Sequence, residues 1–430
     1  MSTPIDNIDK TDNFIEAFRC IEDGGSNLLI LGSAGSGKST FIDYLRNNTT
    51  RQIACVAPTA ISAINIEGST IHSFFGLPPK DFFPTRDLVI SRKLKTVLRN
   101  LEVLIIDEIS MVRPDMLDAI NSMCQESRGS LSPFGGIQLI LIGDLYQLPP
   151  IIRRDVEPLF LRKYGYSSPY FFDSESYITG NFRKIFFDKI YRQKDLTFVK
   201  NLNRMRDLND LEDVIGYFNQ RIRGSEEIDK LREPVLMTPY RSIAEEINKR
   251  KLSEILEIER TYSGSTTGTF MKFKDFPSPK ELVLKNGCRI MFNKNNRPLW
   301  SNGDTGTILS MSDDRITVVL NSSQKLVDVH KEKWQHIRYT YNMETQKIVE
   351  EITGEYEQFP LQLGYGITIH KSQGKTLENI VIDLGRGTFA HGQLYVAFSR
   401  AKHLEDIYLK RAIKITDIIV DTRIIEFYKN

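Results

Sequence analysis

The stretch "NLLILGSAGSGKST", residues 27–40, constrains this chain more than any other. An apolar run reads as a buried strand, a glycine- and serine-rich turn follows, and a helix begins at about Ser39 and runs to Asn47. Glycines let backbone N–H groups approach an anion, and the helix N-terminus adds positive potential. This strand–loop–helix context is what a phosphate-binding P-loop requires. Gly35, Ser36, Gly37 and Thr40 line the loop, Lys38 is placed to reach the β- and γ-phosphates, and Ser39 to ligate Mg²⁺.

The rest of the first 150 residues carries the sheet such a loop needs. "RQIACVAPT", "LEVLIIDE" and "GGIQLILIGD" read as further strands between helices. Continuous apolar strands of this kind imply a parallel sheet covered on both faces. A second α/β region starts near Phe182, with "REPVLMTPY" as a strand and "RSIAEEINKRKLSEIL" as an amphipathic helix. Between about 255 and 358 the strands become short and turn-rich: "GTFMKF", "GCRIMFN", "NGDTGTILSM", "RITVVLN" and "KLVDVH". That pattern predicts a small antiparallel barrel inserted in the second α/β domain. The α/β pattern resumes at "YGITIHKSQG" and "NIVIDLG". The expected domains are therefore 1–178, with a short excursion at about 64–80, then 179–254 with 359–430, and the insert 255–358.

The acidic partner of the P-loop stands at the end of "LEVLIIDE". Asp107 is placed to hold the Mg²⁺ shell, and Glu108 to orient or deprotonate the attacking water. These elements define a nucleoside triphosphatase and leave its class open. A GTPase would carry an Asn-Lys-x-Asp motif, which "NKRK" and "NKNN" lack. A small-molecule kinase has no need of a second α/β domain with its own arginines, whereas a motor on nucleic acid does. The net charge of +2 permits nucleic-acid binding through local patches without demanding it. Cys20, Cys55, Cys124 and Cys288 show no Cys-x-x-Cys spacing, so they read as reduced core residues. No apolar run approaches a membrane span, and the start lacks a signal-peptide pattern, so the expected location is cytoplasmic.

Two arginines lie in distinctive surroundings, Arg192 in "KIYRQKD" and Arg400 in "GQLYVAFSRAK". An arginine supplied across a gap neutralises charge on the transferring phosphoryl group and makes hydrolysis depend on domain closure. With these in place, the chain resembles the superfamily 1 helicases of 5′-to-3′ polarity, most closely the petite-integration-frequency (Pif) DNA helicase family. The matching segments are "GSAGSGKST", "APTAISAINIEGSTIHSFFGL" (57–77), "IIDEISM" (105–111), "PFGGIQLILIGDLYQLPP" (133–150), "IYRQKD" (190–195), "YGITIHKSQGKTLENIVIDLG" (365–385) and "GQLYVAFSRAK" (392–402). Helicases of the RecD type share part of the fourth segment.

The resemblance implies two RecA-like parallel-sheet domains of the P-loop NTPase type, with an SH3-like barrel inserted in the second. It implies an ATP- and Mg²⁺-dependent helicase that moves 5′-to-3′ on single-stranded DNA, acts on forked or G-quadruplex DNA, and works in genome maintenance. By position, Gln147 looks like the γ-phosphate sensor, and Arg192 and Arg400 look like arginine fingers from outside the P-loop domain. "HKSQGKTLENI" (370–380) is no second P-loop, because Ile369 stands where a glycine is needed. It looks like a coupling loop in which His370, Lys371 and Ser372 face DNA phosphates and Lys375 approaches the nucleotide on closure. Pro58 and Thr59, and their counterparts Thr238 and Pro239, are the expected track residues. His72, Phe74, Phe75 and Pro79 are candidates for a stacking platform or wedge, with core burial the alternative for each phenylalanine. Arg289, Lys294, Arg297 and Trp300 are candidate contacts on the barrel. The upstream glutamine that reads adenine in many superfamily members is missing from "TDNFIEAFRC", where Asn13 is the available substitute. Without the long N-terminal extension of eukaryotic relatives, a monomeric bacterial or phage enzyme is expected. A DNA-stimulated ATPase that remodels protein–DNA complexes without unwinding would share every one of these motifs.

Overall fold

The computed structural model describes residues 9–78, 88–150, 152, 165–193, 195–231, 234–273 and 276–429. Pro79 lies outside these residues. The first sheet is built from β1 (Asn27–Gly32), β2 (Ile53–Ala57), β3 (Ser69–Thr70), β4 (Val103–Ile106), β5 (Gln138–Gly143) and β6 (Phe182–Phe187). Its order is β3-β2-β4-β5-β1-β6, and every pairing is parallel. Alternate residues of β1 enter different cores: Leu28 and Ile30 face one, Leu29 and Leu31 the other. That two-sided burial is why the strand reads as an uninterrupted apolar run.

β6 alters the expected division of the chain. It pairs with β1 from Asn27–Phe182 to Gly32–Phe187, so the first sheet continues past residue 178. Its half-exposed alternation, unlike the buried runs of β1, β4 and β5, marks it as an edge strand. The second sheet begins with β7 (Val235–Thr238).

The insert follows. β8 (Arg260–Ser263), β9 (Ser265–Thr266) and β10 (Glu281–Leu284) precede β11 (Arg289–Phe292), β12 (Thr305–Met311), β13 (Arg315–Leu320) and β14 (Leu326–His330). A long hairpin comes next, β15 (Glu332–Asn342) and β16 (Lys347–Gln358), then β17 (Leu361–Leu363). β14-β13-β12-β11-β17 form one antiparallel sheet around Ile290, Phe292, Ile308, Ile316, Val318 and Leu361. Among the described residues this sheet has unpaired edges at β14 and β17. "GTFMKF", expected as a strand, is a 3₁₀ turn over Gly268–Lys272 instead. Gly268 takes φ +55°, and Phe270 turns into a ring cluster with Trp334 and Tyr356. The chain then rejoins the second sheet through β18 (Gly366–Thr368), β19 (Ile380–Ile382) and β20 (Ile407–Leu409), in the parallel order β18-β7-β19-β20.

The β15–β16 hairpin, joined by β9 in a three-stranded sheet, reaches out and docks on the first domain. The Cys55 N–H donates to Tyr339 Oη at 3.0 Å, the Ile348 N–H to Gln52 Oε1 at 2.7 Å, and Arg46 to Glu350 at 2.9 Å. Tyr339 packs edge-on to Phe74, which packs edge-on to Phe75. Both phenylalanines are buried in the main core, so neither ring is open to a base and the stacking role expected of them is not met here. Phe75→Ala is therefore expected to cost about 3–5 kcal/mol of stability, read as a lower urea midpoint. Weaker single-strand binding with an unchanged midpoint would instead restore the stacking role.

Candidate ATP and DNA site between the two α/β domains

Strand order brings the chemistry together. β4, β5 and β1 are neighbours, so the loops leaving their C-terminal ends share one crevice, where ligands bind in open α/β sheets. β1 leads into the P-loop, β4 into Asp107 and Glu108, and β5 into Asp144 and Gln147.

Gly35 and Gly37 take φ of +83° and +90°, a region closed to most side chains. Close approach constrains Gly35 further, since a Cβ there would sit 2.5 Å from the Arg192 Cβ. Lys38, first residue of the helix Lys38–Asn48, folds back over the loop. Its ammonium donates to the Gly32 and Ser33 carbonyls at 2.7 and 2.9 Å. Burial lowers its pKa, while Asp144, Glu108 and Asp107 pull it up. Ser36 is buried with its hydroxyl unpartnered, and Ser39 and Thr40 are exposed beyond it.

Glu108 has φ +51°, left-handed for a residue with a long side chain. Such strain costs of order 1–3 kcal/mol and collects at functional sites. Burial raises the pKa of Asp107 and of Glu108, and the neighbouring Asp107 charge adds to the rise at Glu108. Asp107 and the Ser39 hydroxyl are hard oxygen donors of the type Mg²⁺ takes alongside phosphates and water. The pair therefore fits the ion.

The second domain closes the crevice. Arg400 is 1% exposed, and its Nε and Nη2 donate to the Val396 carbonyl and the Ser399 hydroxyl at 2.9 and 2.8 Å. Burial and nearby Arg192 push its pKa down, while Tyr395, Asp144 and Glu108 pull it up. Arg192 donates to the Ser399 carbonyl at 3.1 Å. It was expected wholly across the gap, yet it follows edge strand β6, and the adjoining Tyr191 N–H bonds the Gly35 carbonyl at 2.9 Å. Arg192 thus sits between the two, against the P-loop on one side and the Arg400 segment on the other.

Gln147 lies deep in the site and donates to Asp144 Oδ2 at 2.9 Å. The sequence reading missed three residues of this network. Asp144 itself is 1% exposed, Tyr395 reaches it at 3.4 Å, and the Gln373 amide lies 3.2 Å from both Glu108 Oε2 and Gln147 Oε1. Their available signal was position, three residues before Gln147 in "GDLYQ", five before Arg400, and within "KSQGK". His391 adds a further tie, accepting from the Asp421 N–H at Nδ1 and donating from Nε2 to the Leu145 carbonyl, 2.9 Å each.

Other expected residues go elsewhere. Lys375 is buried, and its ammonium bonds Asn302 of the "NGDTG" turn rather than facing the nucleotide. Burial, then the Lys371 charge, lowers its pKa to about 7. Ser372, Thr238 and Pro239 are buried; the Ser372 hydroxyl donates to the Ile369 carbonyl at 2.7 Å. None of the three is open to a DNA phosphate in this arrangement. Thr59 caps the helix Ala60–Asn65 and is half-buried, like Pro58 and His72, while His370 and Lys371 are exposed. Asn13 spends its amide on the Phe186 carbonyl at 2.6 Å. In the insert, Trp300 is core and stacks on Phe292, Lys294 pairs with Glu332, Arg289 bonds the Pro234 carbonyl, and Arg297 is exposed.

A family model described as PIF1-like helicase matches residues 10–209. The ATP-dependent DNA helicase Pif1 of Bdellovibrio bacteriovorus is 33% identical over 416 residues, covering 94% of this chain and 88% of that protein. The structure of Bacteroides Pif1 in complex with ADP-AlF4 matches with a TM-score of 0.89 at 33% identity, over 98% of this chain and 97% of that one. Bacteroides Pif1 bound to ssDNA matches over the same shares at the same identity, with a TM-score of 0.69. At equal identity, the present arrangement is nearer the first of these two structures.

Proposed function

The chain belongs to the PIF1-like helicase family and is an ATP-dependent DNA helicase, and from that premise we propose that it translocates 5′-to-3′ on single-stranded DNA. The observation that carries the mechanism is the meeting of groups from both domains at one point. Gln373 and Arg400 enter from the second domain, and Glu108, Gln147 and the P-loop from the first.

Lys38 releases the Gly32 and Ser33 carbonyls and turns to the β- and γ-phosphates of ATP. Ser39 and Asp107 would hold Mg²⁺, which neutralises charge on those phosphates. Glu108 accepts the proton of the attacking water, which Gln147 orients. Arg400 and Arg192 leave their backbone partners for the γ-phosphoryl oxygens, so hydrolysis requires the two domains to close. Opening and closing change the grip on a strand that runs past Pro58, Thr59 and His72 in the first domain and His370 and Lys371 in the second. Substrates in this reading include forked duplexes and G-quadruplex DNA. One chain carries both halves of the ATP site, which supports action as a monomer, and the proposed setting is the cytoplasm. Among the described residues no helix is long and apolar enough to cross a membrane.

The test is strand displacement, with ATP and Mg²⁺, on two duplexes that differ only in a 5′ or a 3′ single-stranded tail. Unwinding from the 5′ tail alone is expected. Unwinding from the 3′ tail alone overturns the polarity. ATPase stimulated by single strands without unwinding of either favours the remodelling ATPase.

A further inference from the structure

We propose that Gln373 is a positioning residue that holds the catalytic base and the phosphate sensor in a resting state until DNA moves its loop. The inference deepens the mechanism above and rests on Glu108 being the base. Its starting point is a chain of hydrogen-bond polarities. A carboxylate only accepts, so Asp144 takes the Gln147 NH₂ and turns the Gln147 carbonyl oxygen outward. That oxygen needs a donor, which fixes Gln373 with its own NH₂ inward. The amide has two hydrogens, and the second is directed at Glu108 Oε2. One side chain from the second domain thereby occupies an acceptor on each of the two groups that must handle the attacking water.

The same loop presents its other end to the DNA side. His370 and Lys371 are exposed at the start of a 3₁₀ turn closed by Gln373 N–H to the His370 carbonyl at 3.2 Å. The next turn is closed by Lys375 N–H to the Ser372 carbonyl at 3.0 Å, and Arg400 donates to that same carbonyl at 3.4 Å. Two tight turns leave little slack between a phosphate at residue 371 and the amide at residue 373. A strand that shifts the first draws the second off Glu108 and Gln147 together, and loosens Arg400 as it does so. Stimulation of hydrolysis by DNA then needs no separate relay.

The experiment is steady-state ATPase of the full chain, with and without saturating oligothymidylate, for wild type, Gln373→Leu and Gln373→Met. Both variants remove the donor, and methionine keeps the unbranched shape, so one of them serves if the other folds poorly. Turnover without DNA is expected to rise on the order of tenfold, the joint worth of two modest hydrogen bonds. KM for ATP and turnover with DNA should stay within about twofold on the same reasoning, so the stimulation ratio collapses. A folded variant whose DNA-free turnover is unchanged or lower overturns the proposal, since a merely structural glutamine would depress both rates. Glu108→Gln, assayed alone, tests the underlying base assignment separately. If it stays active that assignment fails, whatever the Gln373 variants do.

Discussion

Glu108→Gln is expected to lower ATP turnover in the presence of single-stranded DNA by roughly 10²- to 10⁴-fold, the usual contribution of a positioned general base. ATP affinity should hardly change, because Lys38 and the loop N–H groups proposed to bind the phosphates are untouched. The substitution is nearly isosteric, and a glutamine oxygen can still accept from Gln373 where Glu108 Oε2 does now. It removes the capacity to take a proton, together with the carboxylate charge. The environment argues for that capacity. Burial and the Asp107 charge both raise the Glu108 pKa, which makes its carboxylate a stronger base than one in water. Asp144 is the other buried acid nearby, but its oxygens already accept from Gln147 and the Tyr146 N–H. Steady-state turnover paired with fluorescent-nucleotide binding separates the outcomes. Near wild-type turnover would place the base elsewhere.

The parts of this site that the sequence exposed are those set by local backbone geometry. A P-loop must have glycine where φ is positive and a strand and helix on either side, so its residues are readable one by one. β1 and the helix after it appear where the pattern places them. The same holds for Asp107 and Glu108, fixed by the end of a four-residue apolar strand.

What stayed hidden depends on contacts between distant segments. The sequence leaves Phe74 and Phe75 open between exposed ring and core, and the choice is made by Tyr339, from a hairpin in the insert, which packs on Phe74 while Phe74 packs on Phe75. β6 reads as the start of a new domain because its edge position leaves it half-exposed, and only its register with β1 assigns it to the first sheet. Lys375 carries the signature of a nucleotide-facing lysine, yet Asn302 of the insert takes its ammonium. For Gln373 the only signal was its place within "KSQGK", which does not reveal its two partners because they lie in another domain. Motif spacing reports what a loop is built to hold. It is silent on what the other domain does with that loop at rest.

Arg400→Ala should produce the larger loss, a fall in DNA-stimulated turnover of roughly 10³- to 10⁵-fold, as expected for an arginine finger. Its surroundings favour that role over a purely structural one. A guanidinium at 1% exposure is held by the Val396 and Ser372 carbonyls and the Ser399 hydroxyl, with no salt bridge among the described residues. Arg192 beside it raises the electrostatic cost further. Two neighbouring buried positive charges, one of them against the P-loop, favour an anion there, and in the finger role the transferring phosphoryl group would supply it. An arginine finger acts on the transition state, so in that role the loss should fall on turnover, with ATP affinity changed by no more than a few-fold. Removing so large a buried side chain also takes one of two donors from the Val396 carbonyl, which keeps the Ser399 hydroxyl, so thermal melts must accompany the kinetics. Arg400→Lys guards against misfolding. It keeps a positive charge but loses the planar fork, and should remain at least about tenfold slow. Equal losses in affinity and turnover in both variants would reassign Arg400 to nucleotide binding, leaving Arg192 as the remaining candidate finger.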